Sequence, residues 1–440
     1  VSAESAILMD ADTGAILYAK NIHQQEYPAS TTKILTTLIA SERCSMDEIV
    51  DFSYDAVHDI DPGSNHIAID PGEQLTMEEC LNAILIRSAN EVSFAVAEHI
   101  SGTTWQDFAP IMNERAKELG CVDSNFVNPN GLPNEDHYTS AYDLAMIGRA
   151  FFANEALCKM TMTHMLHILP SERQPDDIME VNKMELIPGG KYAYPYLVGC
   201  KTGYTDVARS TLVSCAEKDG MKLICVVMKD ENPNYYEDTI TLFDYGFSNF
   251  QRVNISQTET KYNIENAGSF YSGNDIFGNS KPILELNQTD SITLPNTITF
   301  QDAVSSISYD NTEPGQVAVI TYTYNDVVLG TASLDFTAAE KGSSVFRENT
   351  AETTESAEES GATDETQSGT TTTEADNTET TETAGDNTGN NGGIPTAAQE
   401  TSPEEENSTS GGPAVIFINV VKVFFCIVGI AVLIFLALLL

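Results

Sequence analysis

The chain has 440 residues, and its 65 Asp and Glu against 22 Lys and Arg give a formal net charge of −43. This balance excludes a nucleic-acid-binding function, because neutralising phosphates requires clustered Lys and Arg. At roughly 150 residues per domain, the length predicts two or three structural units.

The first 249 residues alternate strand and helix patterns. Residues 5–21 predict two strands around a turn at 12–14. The apolar residues of TTKILTTLIASER recur at helical spacing, and two further helical stretches, TMEECLNAILI and EVSFAVAEHI, flank residues 87–90. RSTLVSCAEKDGMKLICVVMKD predicts a β-hairpin with its turn at 218–220. Antiparallel strands at both ends, with helices between them, predict an α+β domain over 1–249.

The pattern changes after residue 249. Over 250–347, polar β runs such as QVAVITYTYNDVVLGTASLDF are separated by Gly, Asn, Pro and Asp, and helical periodicity disappears. We therefore predict a separate, mostly β domain. No group of residues in it indicates catalysis, so a spacer or a binding module is the preferred interpretation.

The last two segments differ sharply in composition. Residues 348–412 contain 16 Asp or Glu and 17 Thr, and they lack Lys, Arg and aromatic residues. Such a segment cannot bury enough apolar surface to offset the entropy of ordering, so we expect a disordered acidic linker. Within 413–440, VFFCIVGIAVLIFLALLL is long and apolar enough for a transmembrane helix.

This arrangement predicts a single-pass protein of the cell membrane whose domains before the linker lie outside the cell. The start at Val1, without an apolar leader, fits a processed or truncated N-terminus.

The cysteines and histidines give no metal motif. Seven of the eight cysteines precede the linker, an odd number without paired spacing, and the chain has no C-x-x-C. Most of them are expected to be small buried hydrophobic residues. His164 and His167 have the wrong spacing for a helical zinc pair. We predict no metal and no cofactor.

The first motif with catalytic potential is S-x-x-K at Ser30 and Lys33, where the first helix should begin. That spacing places both side chains on one helical face. A lysine can take the proton of a serine only when it is neutral, which burial or a neighbouring positive charge favours. The motif alone is weak, and a helix-capping Ser30 with a solvated Lys33 is the simpler interpretation.

Two further motifs follow in the chain. Ser88 and Asn90, between two predicted helices, can relay a proton and hold a substrate carbonyl, although helix capping is an equally good interpretation. Lys201, Thr202 and Gly203 follow the apolar run YLVGC, and they offer a charge, a hydroxyl and room for a substrate backbone. Alone, K-T-G could also be a strand that ends in a turn. S-x-x-K and K-T-G each occur once, in this order.

Together, S-x-x-K, S-x-N and K-T-G resemble the motifs of the low-molecular-mass penicillin-binding proteins, a family of serine D-alanyl-D-alanine carboxypeptidases. Further similarity lies in FVNPNGLPNEDHYTSAYDLAMIGRA at 126–150 and FDYGFSNF at 243–250. The resemblance covers nearly all of 1–249, and the β domain and membrane anchor fit the family layout. It implies a penicillin-binding transpeptidase/β-lactamase-like fold, an antiparallel sheet with helices.

The resemblance implies acyl transfer. Ser30 would attack the carbonyl between the last two D-alanines of a peptidoglycan stem peptide, with Lys33 as the base. Water would hydrolyse the resulting acyl-enzyme. Ser88 would pass the proton towards the leaving amine, and Lys201 would help to keep Lys33 neutral. β-Lactams would acylate the same serine.

The resemblance also assigns the substrate contacts. Asn90 would hold the peptide, and Lys201 and Thr202 would bind its carboxylate beside Gly203. The backbone N–H groups of Tyr204 and of the nucleophilic serine would form the oxyanion hole.

The chain departs from the family at two positions. Ala89 stands where relatives commonly have Gly, a small change. Relatives often have an Arg near the positions that correspond to residues 234–236, where this chain has NYY. Arg209, on the neighbouring hairpin strand, is therefore a candidate partner for the substrate carboxylate. His137 is a candidate for the cleft lining, although a structural role is favoured.

Two alternative functions stay open. A serine β-lactamase shares the three motifs but usually adds a Glu that positions water, and no convincing segment for it is found. A non-catalytic surface protein could instead only bind penicillin.

Overall fold

The computed structural model describes residues 1–262, 284–310 and 315–336. The predicted acidic linker and the predicted transmembrane helix lie outside these ranges. Within them, none of the helices is both long and apolar enough to span a bilayer.

Nine α-helices and fifteen strands are found in the described part of the chain. The helices are α1 Lys33–Arg43, α2 Tyr54–His58, α3 Met77–Asn82, α4 Asn90–Ser101, α5 Phe108–Glu118, α6 Ala141–Ala153, α7 Glu155–Met162, α8 Asn234–Asn249 and α9 Ile255–Thr258. The strands are β1 Ser5–Asp10, β2 Ile16–Lys20, β3 Ile49–Asp51, β4 Gln74–Thr76, β5 Met165–Ile168, β6 Ile178–Val181, β7 Leu197–Thr205, β8 Arg209–Lys218, β9 Met221–Asp230, β10 Phe250–Asn254, β11 Leu284–Leu286, β12 Ser291–Pro295, β13 Val304–Ser308, β14 Gln316–Tyr324 and β15 Val327–Phe336.

A five-stranded antiparallel sheet of order β2-β1-β9-β8-β7 forms the centre of the first domain. The predicted hairpin is confirmed as β8 and β9. They are joined at Asp219 and Gly220, which both have positive φ, as a tight two-residue hairpin turn requires. The α+β class predicted for this part is confirmed.

The sheet is covered on both faces because its strands alternate between two cores. On β8, Val213 and Cys215 belong to the core shared with α1, α4 and α6. Leu212 and Ala216 point to the other core, which α8 covers. The first core surrounds α1, whose first eight residues are all buried. A helix buried on every side can hold a polar group away from water.

The chain entering α1 differs from the simple helix start that the sequence predicts. Residues Ala29–Thr32 form a 3₁₀ turn, and the α-helix begins only at Lys33. Ser30 does not cap the helix, and Lys33 is 0% exposed. The interpretation of Ser30 as a cap with a solvated Lys33 is therefore wrong, because the first turn lies inside the domain.

The second motif also follows an irregular turn. Helix α3 continues as a π-helical turn over Ala83–Arg87, which ends at Ser88 with φ of 62°. This left-handed conformation is costly for a residue with a side chain, and such residues concentrate at functional sites. The turn separates the two predicted helical stretches and redirects the chain into α4.

The described part of the chain after α8 is mostly β. A two-stranded sheet of β10 and β12 and a four-stranded sheet of order β11-β15-β14-β13 enclose a hydrophobic core of their own. The short α9 is a helix that the sequence pattern did not predict. The two parts meet where Thr293 donates to Asp10 at 2.9 Å and Arg252 pairs with Asp12.

Candidate active site

The three motifs meet at one cavity of about 550 Å³ beside β7. Ser30, Ser88 and Lys201 line it, one from each motif, together with Tyr204 and Arg209. The K-T-G residues lie inside β7, which continues to Thr205, so the alternative of a strand that ends at this motif is wrong.

Lys33 lies behind Ser30 with three polar partners. Its Nζ donates to Asn90 Oδ1 at 2.7 Å and to the backbone carbonyl of Asn130 at 2.6 Å, and it lies 3.1 Å from Ser30 Oγ. Two N–H groups of a neutral amine satisfy the two carbonyl oxygens. The nitrogen lone pair is then free to accept the hydroxyl proton of Ser30.

The surroundings of Lys33 favour that neutral form. Burial lowers the pKa of Lys33 well below its usual value, and the positive charge of Lys201 lowers it further. Glu91 opposes this shift. Burial also raises the pKa of the Glu91 carboxyl itself, which weakens its stabilisation of a charged lysine.

The Ser30 turn is held against the edge strand by close backbone packing. Thr211 Oγ1, on β8, donates to the carbonyl of Pro28 at 3.0 Å. A Cβ at Gly203 would lie 2.8 Å from Ser30 N, so only glycine lets β7 approach the nucleophile. At Gly131, with φ of +82°, a Cβ would lie 1.8 Å from the carbonyl oxygen of Ala29.

The second and third motifs are connected by a hydrogen bond. Lys201 Nζ donates to Ser88 Oγ at 3.2 Å and to the carbonyl of Thr202 at 2.9 Å. Its side chain is 3% exposed, and burial lowers the pKa of Lys201 to about 8. At neutral pH most of these ammonium groups stay charged, so the cavity offers a positive group to an anionic ligand.

Arg209 lies at the rim of the cavity, and Glu231 binds it. Its guanidinium donates to the two carboxylate oxygens of Glu231 at 3.0 and 2.7 Å and lies over the ring of Tyr204. The carboxylate raises the pKa of Arg209. The structure thus places this candidate at the cavity with its guanidinium already paired.

His137 is buried behind the first motif and is not part of the cavity lining. Val127 N–H donates to Nδ1 at 3.1 Å, which leaves Nε2 to donate to Thr32 Oγ1 at 2.9 Å. Burial lowers the pKa of His137 to about 3. The neutral ring connects the segment 126–150 to the Ser30 turn.

Two contributors to the site were missed in the sequence. The Asn130 carbonyl is a direct partner of Lys33, and Asn65 O accepts from Asn90 N–H at 2.9 Å. Both residues contribute backbone carbonyl oxygens, and a backbone contact cannot be recognised from the residue type. The NPNG turn was a usable signal, since Asn128 Oδ1 accepts from Gly131 N–H at 2.7 Å and shapes the turn that presents the carbonyl.

The cavity holds hydroxyl, amide and ammonium groups, a set suited to acyl transfer rather than to metal binding. The one cluster of potential metal ligands among the described residues, at Cys44, lies elsewhere, just after α1.

Comparison with known proteins identifies the family to which this chain is similar. A model of the peptidase S11 family, described as D-alanyl-D-alanine carboxypeptidase, matches residues 1–232. D-alanyl-D-alanine carboxypeptidase DacF of Bacillus subtilis is 37% identical over 57% of this chain and 63% of the relative. DacB2 of Mycobacterium tuberculosis is 32% identical over 56% of this chain and 82% of the relative.

A solved structure agrees with these sequence matches. The chain is similar to penicillin binding protein 6B of Escherichia coli, with 26% identity and a TM-score of 0.55 over 76% of this chain and 95% of that structure. Its fold is accordingly that of penicillin-binding catalytic domains. The matched family region spans more than half of the chain and contains all three motifs, and the chain therefore belongs to the S11 family of serine-type D-alanyl-D-alanine carboxypeptidases.

Proposed function

We propose that the chain removes the terminal D-alanine from peptidoglycan stem pentapeptides through an acyl-enzyme on Ser30, and that β-lactams acylate the same residue. The observation that carries the proposal is the 3.1 Å approach of Ser30 Oγ to the fully buried Nζ of Lys33 at the wall of the cavity. Family membership supplies the substrate class.

Acylation begins with a proton transfer. Neutral Lys33 takes the hydroxyl proton of Ser30 as Oγ attacks the carbonyl carbon between the two D-alanines. The negative oxygen that forms is held by the backbone N–H groups of Ser30 and Tyr204, a contribution of about 10²–10³ in rate per donor. The carbon–nitrogen bond then breaks, the leaving amine receives the proton through Ser88, and D-alanine departs. The product is an ester on Ser30 Oγ.

Deacylation repeats these steps with water. Lys33 takes a proton from the water, whose oxygen attacks the ester carbon. The carbon–Oγ bond breaks, Ser30 regains its proton, and the shortened peptide leaves as a carboxylic acid. Each cycle therefore consumes one water and needs no cofactor.

The substrate carboxylate is bound by Lys201 and Thr202. Lys201 lies in a buried position where a charge-assisted hydrogen bond is stronger than in water. Asn90 holds the peptide from the opposite motif, and its amide is fixed by its contact with Lys33. Arg209 lies at the rim as a further candidate partner, with its guanidinium bound to Glu231.

The β-lactamase alternative is less well supported. Among the residues that the structure gives as lining the cavity, Glu231 is the only acidic one, and Arg209 binds it. The buried Glu91 accepts from Ile67 N–H at 2.6 Å and does not line the cavity. The one carboxylate that lines the cavity is thus engaged by Arg209.

The C-terminal segments support a proposal about location. The apolar residues 423–440 anchor the chain as a membrane helix, and the acidic segment 348–412 tethers the two folded domains on the cell-wall side. A flexible tether of this length has a root-mean-square span of about 45 Å, and repulsion between its like charges extends it. A chain that ends at residue 347 should leave the membrane fraction.

The test is D-alanine release by the full chain in detergent. We expect a peptide ending in D-Ala-D-Ala to yield free D-alanine, and a fluorescent penicillin to label the protein covalently. Ser30→Ala should lose both activities, whereas Ser256→Ala, in the β part, should keep them. No release and no labelling by the wild type would refute the proposal, and labelling without release would support the binding-only alternative.

A further inference from the structure

Three side chains with metal-binding atoms converge at a second place in the molecule. Cys44, Glu48 and His99 each offer one ligand atom, and these atoms all lie within 4.8 Å of one another. His99 Nε2 lies 2.9 Å from Glu48 Oε2. All three residues are only partly buried, so an ion can reach them from solvent.

The cluster is formed by separate elements of the fold. Cys44 is the residue that ends α1, and its N–H donates to Ala40 O at 3.0 Å. His99 lies in the last turn of α4. Glu48 directly precedes β3, and its carbonyl accepts from Met77 N–H at 2.8 Å. The ligand positions therefore depend on the packing of the domain, as preorganised metal sites require.

A second contact fixes the carboxylate. Ser45 N–H donates to Glu48 Oε1 at 2.6 Å, which leaves Oε2 directed to His99. An outer hydrogen bond that orients a ligand in this way is a regular part of metal sites. Glu48 thus has one oxygen held by the backbone and one oxygen available for an ion.

An ion pair alone does not account for the arrangement. A partly exposed His–Glu pair is screened by solvent and needs no third partner. Here a thiol lies beside the same pair.

The ligand types select the metal. Thiolate and imidazole favour Zn²⁺ over Mg²⁺ and Ca²⁺, which prefer oxygen ligands. Three protein ligands leave a fourth tetrahedral position for water. One thiolate and one carboxylate balance the double positive charge.

We propose that Cys44, Glu48 and His99 bind a Zn²⁺ ion. On binding, the thiol of Cys44 releases its proton to solvent and the sulfur coordinates the metal, with no change of oxidation state. The ion connects the C-terminal ends of α1 and α4. The N-terminal ends of these helices carry Lys33 and Asn90, which are hydrogen-bonded to each other. The site therefore clamps the helix pair at the end away from the cavity.

Zinc and cobalt binding by the full chain, in detergent with a phosphine reductant, tests the proposal. Competition with a chromogenic chelator should give one tightly bound Zn²⁺ per chain, and Co²⁺ should give a thiolate-to-metal charge-transfer band. Losing an outer partner costs 10- to 100-fold in affinity, so Cys44→Ser and His99→Gln should each weaken zinc binding by at least about 100-fold. Cys44→Ser should also lose the cobalt band.

Two matched variants control for general effects. Cys121→Ser removes another partly buried thiol, and His167→Gln disrupts another His–carboxylate pair, so both should bind as the wild type does. Zinc should raise the thermal unfolding midpoint of the wild type and leave that of Cys44→Ser unchanged, which tests the clamp without relying on activity. Circular dichroism shows whether each variant is folded.

The proposal is overturned if the wild type binds no more zinc than Cys44→Ser, or if the cobalt band persists in Cys44→Ser. Equal loss of affinity in the Cys121→Ser control would also overturn it, because the metal would then have no preference for this cluster.

Discussion

The two ends of the α1–α4 pair carry opposite kinds of chemistry. At the N-terminal ends, Lys33 and Asn90 are buried and contact each other at 2.7 Å. At the C-terminal ends, the side chains of Glu48 and His99 are 42% and 25% exposed. Burial changes which form of an ionisable group is stable, so the first end can keep a lysine neutral. At the second end, solvent screens the charges of the partly exposed groups.

The largest expected effect comes from replacing the buried lysine. Lys33→Gln should slow acylation of Ser30 by a fluorescent penicillin about 10²–10⁴-fold, the usual range for loss of a general base. Rapid-mixing measurements of covalent labelling give this rate. Arg43→Gln changes an exposed cation at the other end of the same helix and should acylate at the wild-type rate. Equal acylation rates for Lys33→Gln and the wild type would show that the buried N-terminal end of α1 does not supply the base.

The next effect tests the close approach of β7 to the nucleophile. In Gly203→Ala the new Cβ would lie 2.5 Å from Thr211 Oγ1 and 2.8 Å from Ser30 N, so the turn must shift. A displacement of about 1 Å can cost on the order of 10²-fold in rate, and we expect that loss in acylation. In the control Gly220→Ala the new Cβ meets nothing within 4 Å, but φ of +79° strains the hairpin turn, so stability should fall while the acylation rate is kept. A Gly203→Ala enzyme with full activity would contradict the described packing.

A smaller effect concerns the ring behind the motif. His137→Phe leaves Thr32 Oγ1 and Val127 N–H without their partner, which should lower the free energy of unfolding by about 1–3 kcal/mol. Urea unfolding measures the change. His164→Phe, at an exposed position, should change it by less than about 0.5 kcal/mol.

The same ring makes stability depend on pH. The pKa of His137 is lowered from 6.5 to about 3 in the folded chain, so the unfolded chain binds the proton more readily. The contribution of the neutral ring is complete above pH 6.5 and is lost as the pH falls towards about 3. In His137→Phe this part of the acid dependence should disappear. An unchanged acid dependence would show that the ring is not held neutral.

The smallest effect belongs to the rim of the cavity. The Arg209–Glu231 pair is largely exposed and screened by solvent, so Arg209→Gln should leave the free energy of unfolding nearly unchanged. If Arg209 binds the substrate carboxylate, KM for the peptide rises in Arg209→Gln and stays unchanged in Glu231→Gln. Equal KM values in both variants would leave Lys201 and Thr202 as the carboxylate site.

The catalytic motifs and the β8–β9 hairpin could be predicted from the sequence. Ser30 and Lys33 are three residues apart, and the resemblance of the three ordered motifs to the penicillin-binding family implied that they share one site. The hairpin was also predictable, because Asp219 and Gly220 form a turn signal between two apolar runs.

The remaining features depend on tertiary packing. The backbone carbonyl of Asn130 has no signature in residue type, and the complete burial of Lys33 follows from a core that surrounds α1. Cys44 and His99 are far apart in sequence and meet only because α1 and α4 end side by side. Spacing rules that seek metal ligands close in sequence therefore missed this cluster.

The pH dependence of acylation tests the central claim most directly, namely that neutral Lys33 activates Ser30. The rate constant for penicillin labelling should rise with pH as the Lys33 ammonium loses its proton, since only the neutral amine accepts the hydroxyl proton. In Lys201→Gln the rise should move to higher pH, because the neighbouring charge that lowers the pKa of Lys33 is gone. A rate that stays constant as the pH falls, or a midpoint unchanged in Lys201→Gln, would contradict the account.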